Sequence, residues 1–243
     1  MKIAKLPNGK PEIFYTLQGE GKNTGLPSVF IRLSLCNLHC KWCDTPYTWN
    51  WENTPWETST NKKYLKSQEI ITLTPAEVIE YFTDYPCENF VITGGEPLIQ
   101  QAEIEQLKNL LSPTSTIEIE TNGTISPNKL SNTHQIQYNV SPKLSHSGNE
   151  THLALPEESL SWFASNKNTV FKFVIEKEED LKEIQKLEAL FDIQREKIIL
   201  MPKGTESSAI RNSSLDLSTI CLRDGYRFSD RLHVHLWGNS RAK

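Results

Sequence analysis

The 243 residues include 37% hydrophobic and 23% charged side chains, the balance of a soluble globular protein with material for a sizeable core. A formal net charge of −4, from 30 acidic and 26 basic residues, excludes a broad nucleic-acid footprint. No run approaches the length of a membrane span, Met1–Lys2–Ile3–Ala4–Lys5 lacks a signal-peptide core, and three of five cysteines fall in one short stretch; a reducing cytoplasm is expected, without membrane contact or a disulfide framework.

Glu12 to Gly21 begins extended and ends in a glycine-punctuated turn. Val29 to Leu35 reads as a strand, and its end carries Cys36–Asn37–Leu38–His39–Cys40–Lys41–Trp42–Cys43. Three thiols spaced C-x3-C-x2-C can curl around one inorganic centre. Four would complete a tetrahedral zinc site or a fully ligated iron–sulfur cube, whereas three leave one metal corner open. A zinc site needs a fourth ligand, but His39 lies between two of the cysteines and Cys87 is far down the chain. Cys87 and Cys221 read as buried small hydrophobes.

The aromatic stretch Tyr47–Trp56 and the polar one Thr58–Lys63 lack periodicity and mark a loop inserted around 47–72, either lining a substrate lid or packing on itself. Thr74–Pro75–Ala76–Glu77 is a capping box that starts a helix running to about Tyr85. Phe90–Thr93 is a buried strand entering Gly94–Gly95–Glu96–Pro97, and a helix follows from Ile99 to Leu111. Strands are then expected at Thr116–Thr121, Ile136–Val140, Val170–Ile175 and Ile198–Met201, with helices at Pro156–Ser165, Glu178–Phe191 and Asn212–Leu222. Leu232–Leu236 reads as a last strand, on which His233 and His235 face opposite ways. His134, His146 and His152 read as loop residues.

About six βα units with short connections imply a parallel sheet covered by helices. Right-handed crossovers curl it into a partial, incomplete TIM-like α/β barrel, expected here as a single domain over 1–243. Chemistry in barrels lies at the carboxyl ends of the strands, and every unusual motif of this chain falls at an expected strand end.

C-x3-C-x2-C with Gly94–Gly95–Glu96–Pro97 some fifty residues later resembles the radical S-adenosylmethionine (SAM) superfamily. The resemblance implies that Cys36, Cys40 and Cys43 hold a 4Fe–4S cluster whose unique iron chelates SAM. One electron then splits SAM and yields a deoxyadenosyl radical, a power no side chain supplies. It further implies SAM contacts from Gly95 and Glu96, from Glu120 and Asn122, from Ser141, Pro142 and Lys143, and from Pro202, Lys203 and Gly204. Lys203 stands where the family usually has Glu, which matters little if the backbone makes the contact.

Phe14–Gly21, containing T-L-Q-G-E-G, stands with Arg32, Thr93, the Asp44–Thr45 that follows Cys43, and the tail His233-x-x-Leu236–Trp237–Gly238–Asn239-x-Arg241. This set resembles the 7-carboxy-7-deazaguanine synthase family over almost the whole chain. There a carboxylated tetrahydropterin, 6-carboxy-5,6,7,8-tetrahydropterin, is rearranged to 7-carboxy-7-deazaguanine with loss of ammonia, using SAM catalytically and requiring Mg2+. The implied substrate contacts are Leu17, Gln18, Gly19, Glu20, Arg32 and Thr93, with Thr45 as the Mg2+ ligand. Arg32 offers the substrate carboxylate a planar fork, and Gln18 and Glu20 offer its guanine-like edge donors and acceptors. An electron donor such as a flavodoxin or ferredoxin and a homodimer are family expectations. Taken singly, Arg32 also reads as a salt-bridge partner, Glu20 as a solvated turn residue and Thr45 as a cap. A glycyl-radical activase and a metal-stabilised binding module are the competing functions.

Overall fold

A computed structural model describes residues 1–131 and 135–243; the expectation for His134 lies outside them. The strands are β1 (Lys2–Ala4), β2 (Ile13–Leu17), β3 (Pro27–Leu33), β4 (Ile70–Thr72), β5 (Asn89–Gly94), β6 (Thr116–Thr121), β7 (Ile136–Val140), β8 (Thr169–Ile175), β9 (Ile198–Pro202) and β10 (Arg227–Phe228). The helices are α1 (Lys66–Glu69), α2 (Pro75–Glu80), α3 (Gln101–Leu110), α4 (Thr151–Ala154), α5 (Glu157–Ser165), α6 (Asp180–Phe191), α7 (Ser207–Asp224) and α8 (Leu232–Trp237).

The sheet runs β10-β9-β8-β7-β6-β5-β3-β1-β4, with β2 also paired to β3. From β3 through β10 each pairing is parallel, while β1, β2 and β4 pair antiparallel at the β3 edge. Because the parallel strands neighbour one another in chain order, each crossover repeats the last, and the result is the expected partial barrel. No described helix is long and apolar enough to cross a membrane.

Alternation along the strands divides the chemistry between the two faces. Ile117 and Ile119 of β6, and Phe171 and Phe173 of β8, belong to the apolar core that the helices cover. Their neighbours Glu120, Lys172 and Val174 line a cavity on the other face. The inner face of this sheet therefore carries charged groups among apolar ones.

Several elements depart from expectation. The capping box forms, with Glu77 N donating to Thr74 Oγ1 at 3.2 Å and Thr74 N to Glu77 Oε2 at 2.7 Å. Its helix nevertheless stops at Glu80, because Tyr81 and Phe82 bond back three residues and Phe82 turns onto Phe90, ring centroids 5.0 Å apart. The stretch read as a loop insertion ends in α1 and β4, which extends the sheet beside β1. Leu232–Leu236 is helical, not a strand. With β10 already on that edge of the sheet, the segment satisfies its backbone locally, Val234 N bonding Arg231 O and Gly238 N bonding Val234 O, both at 2.9 Å.

Candidate active site

β3 ends at Leu33, and the chain then passes through Leu35 at φ +78°, a conformation that costs a non-glycine residue roughly 1–2 kcal/mol. Two backbone bonds hold it there: Leu35 N donates to Thr48 O, and Leu35 O accepts from Glu96 N, both at 2.8 Å. The bend carries Cys36, Cys40 and Cys43 to the wall of a cavity of about 690 Å³. None of the three is in a disulfide. Asn149 Nδ2 donates to Cys40 Sγ at 3.2 Å and Trp49 Nε1 to Cys43 Sγ at 3.2 Å, and Asn122 Nδ2 lies 4.0 Å from Cys36 Sγ. Burial pushes the Cys43 thiol up to about 11 and raises Cys36 and Cys40 as well. Such thiols ionise only onto a cation, and the N–H groups aimed at them suit cluster-bound sulfur.

Cys87 donates to Pro27 O at 3.3 Å and Cys221 is buried on α7, so neither is a fourth ligand. His39 stacks on Trp56, centroids 3.8 Å apart, and meets Trp49 edge-on. Among the described residues no three His, Cys, Asp or Glu side chains could together hold a single metal ion.

Gly94 ends β5 and Gly95 follows it, both against the same bend. A Cβ on Gly95 would lie 2.0 Å from Leu35 O, and one on Gly94 1.9 Å from Leu33 O. The glycines thus allow two strand ends to touch. Glu96, expected to contact SAM, is fully buried and does not line the cavity. Its carboxylate accepts from Leu98 N at 2.9 Å, Thr121 Oγ1 at 2.8 Å and Asn122 N at 2.7 Å, tying β5 to β6. Pro142 is likewise buried away from the cavity. Gly95, Asn122, Ser141, Lys143, Pro202, Lys203 and Gly204 do line it. Lys143 Nζ donates to Ser141 Oγ at 2.9 Å, and Lys203 Nζ to Glu176 Oε1 at 2.8 Å.

The rest of the cavity is built from charge. Lys172, 4% exposed, bonds Glu20 Oε2 at 2.6 Å and Glu120 Oε2 at 2.8 Å. Arg231 bonds Glu20 Oε1 at 3.0 Å, Asp44 Oδ2 at 2.7 Å and Gly204 O, joining three loops. Burial opposes ionisation of Glu20, but Lys172 and Arg231 outweigh it and hold the carboxyl well below its usual range. Gln18, expected at a ligand edge, spends its amide on Glu118 and on Glu120 at 3.3 Å. Leu17, Gly19, Thr93 and Thr45 line the cavity, and Thr45 Oγ1 lies 3.7 Å from Cys43 Sγ. Arg32 bonds Glu12 Oε1 through Nε at 2.8 Å, leaving its terminal nitrogens without a protein partner among the described residues.

Lys172 and Arg231 escaped sequence reading: one sits mid-strand, the other in a loop without a motif. His146 also proved different from a loop residue. It is nearly buried, stacked on Trp42 with centroids 5.4 Å apart. On α8, His233 Nε2 stands 3.8 Å from Glu20 Oε1, whereas His235 bonds Ser207 and Asp230 outside the cavity lining.

Beneath the cavity, burial and the adjacent Glu120 charge push Glu118 up to about 7. The folded protein keeps this proton where the unfolded chain, near its ordinary 4.5, has released it. Stability is therefore expected to fall as pH rises between those values. Denaturant titrations across that window should show the slope, and Glu118→Gln should flatten it.

Residues 31–143 match the Radical SAM superfamily. The 7-carboxy-7-deazaguanine synthase of Pyrobaculum aerophilum is 32% identical over 233 residues, covering 96% of each chain. That of Halobacterium salinarum is 32% identical over 255 residues, covering 94% of this chain and 90% of its own. The crystal structure of QueE from Escherichia coli superposes with a TM-score of 0.64 at 27% identity, covering 96% of this chain and 95% of that one. Similarity over nearly full length, on a partial barrel whose cysteine loop opens into one charged cavity, has one meaning: the chain belongs to the 7-carboxy-7-deazaguanine synthase family of radical SAM enzymes.

Proposed function

We propose that this enzyme converts 6-carboxy-5,6,7,8-tetrahydropterin to 7-carboxy-7-deazaguanine. Loss of ammonia alone balances substrate and product, so the protein must guide a rearrangement rather than a net oxidation. The observation that carries the reading is that three thiols and a set of substrate-sized polar groups share one cavity of about 690 Å³. A 4Fe–4S cluster on Cys36, Cys40 and Cys43 with SAM beside it would supply the hydrogen-abstracting radical.

The chain's own residues bind and orient. Arg32 presents its free terminal nitrogens to the substrate carboxylate. Glu20, kept ionised by Lys172 and Arg231, accepts from the guanine-like edge, and the Leu17 backbone and Gly19 N supply its partners. Gln18 instead fixes the turn, since its amide holds Glu118 and Glu120 while its backbone N donates to Leu26 O at 2.8 Å and its O accepts from Gly25 N at 2.7 Å. Thr93 lies opposite Arg32 in the β3–β5 register and closes the same wall. Thr45 Oγ1, with no oxygen or nitrogen partner among the described residues, is free to join substrate oxygens and water around Mg2+. Glu120, Asn122, Ser141 and Lys143 face the space left for SAM, beside Gly95 and the Pro202–Gly204 backbone. The reading includes a one-electron donor such as a flavodoxin or ferredoxin.

Anaerobic incubation with reductant, SAM, Mg2+ and the carboxytetrahydropterin should yield the deazapurine, with SAM recovered. SAM cleavage without deazapurine would refute the substrate assignment, and a Cys40→Ala protein should do neither.

A further inference from the structure

Glu12 is completely buried, and three side chains converge on its carboxylate. Arg32 Nε donates to Oε1 at 2.8 Å, and Tyr47 Oη donates to the same oxygen at 3.2 Å. Arg241, from the far end of the chain, takes the other oxygen through Nη2 at 2.6 Å and Nε at 3.1 Å. Its guanidinium also lies 3.6 Å from the centroid of the Tyr47 ring and donates to Lys5 O at 3.0 Å. Residues 238–243 line the cavity, so this segment is part of its wall.

The consequence for Arg32 follows from competition. A carboxylate recognised by a guanidinium fork needs that fork held within about 0.5 Å and 10–20°. Glu12 holds Arg32 by Nε alone because its second oxygen is already filled. Without Arg241, Oε2 would lose both donors, and a buried carboxylate oxygen without a partner is costly. The nearest remedy is for Glu12 to engage a terminal nitrogen of Arg32, which removes a donor from the cavity.

We propose that Arg241, acting through Glu12, is a positioning residue for Arg32, which makes the 238–243 strap part of the site for the substrate carboxylate. The inference rests on the function proposed above and assigns the strap a part in recognising one group of that substrate.

The test compares wild type, Arg241→Ala, Arg241→Lys and Tyr47→Phe for KM, kcat and thermal midpoint. Ligand binding is measured separately by tryptophan fluorescence, with 6-carboxytetrahydropterin and with tetrahydropterin lacking the carboxylate. Loss of one charge-assisted contact should raise KM and Kd for the carboxylated ligand about 10- to 100-fold in Arg241→Ala, with kcat changed far less. Arg241→Lys should recover part of the loss, Tyr47→Phe should lose least, and the ligand without a carboxylate should bind wild type and Arg241→Ala alike. Equal losses for both ligands would overturn the proposal, as would a lowered midpoint with KM unchanged below it. A wild type that forms no deazapurine would instead refute the function, independently of these comparisons.

Discussion

Lys172→Met should unfold well below wild type, with a loss of about 3–5 kcal/mol. For a chain of this size that is a drop of roughly 10 °C in thermal midpoint. Methionine fills much the same space, so the loss comes from charge. Lys172 is the cation shared by Glu20 and Glu120, at 2.6 and 2.8 Å, and burial limits how far water can take its place. Burial disfavours the lysine's charge, yet the two carboxylates outweigh it and raise its pKa. The double variant Lys172→Met/Glu120→Gln should regain part of the stability, because Glu20 keeps Arg231 and the second orphaned anion is gone. A single variant melting within 2 °C of wild type would show that the pair contributes little, an outcome usual only for exposed salt bridges.

Gly95→Ala should be more damaging still, and at the cysteines. The added methyl would stand 2.0 Å from Leu35 O and 3.0 Å from Cys36 Cβ, and the nearer atom is backbone that cannot rotate aside. Glu96 N–Leu35 O and Gly95 N–Leu33 O, the bonds joining the two strand ends, must open to admit it. Leu35, already at an unfavourable φ, would lose what holds it there. Iron and sulfide content after anaerobic reconstitution should fall severely, alongside a lower melting temperature. Normal reconstitution in Gly95→Ala would mean that the cysteine loop tolerates displacement of its base.

Strands deep in the sheet were legible because apolar residues facing the helices alternate with polar ones between turn residues. Thr116–Thr121 and Ile136–Val140 match their expected limits. What misled was context supplied from elsewhere in the chain. His-Val-His-Leu alternates as a strand does, but β10 already takes the place beside β9, and those residues coil. Lys172, within Thr-Val-Phe-Lys-Phe-Val-Ile, gives no local hint that it points into a cavity between two acids. Glu96 sits in a motif whose neighbours meet the cavity, yet three donors brought by Leu98, Thr121 and Asn122 enclose it. The cysteine loop, the glycine pair and the Gln-Gly-Glu-Gly turn could be located from spacing. Which of their side chains remain free for a ligand depends on partners a hundred or more residues away, such as Glu118 for Gln18 and Arg231 for Glu20.

Gly19 O accepts from Leu232 N at 2.9 Å, Glu20 bonds Arg231, and Glu12 bonds Arg241. During synthesis, residues 12–20 therefore leave the ribosome long before their partners are translated. All the parallel strands can be laid down while this corner is still unassembled. A polypeptide cut short ahead of Arg231 would leave Glu20 with Lys172 alone and Glu12 without its second guanidinium, so this corner is completed only when residues 231–241 arrive.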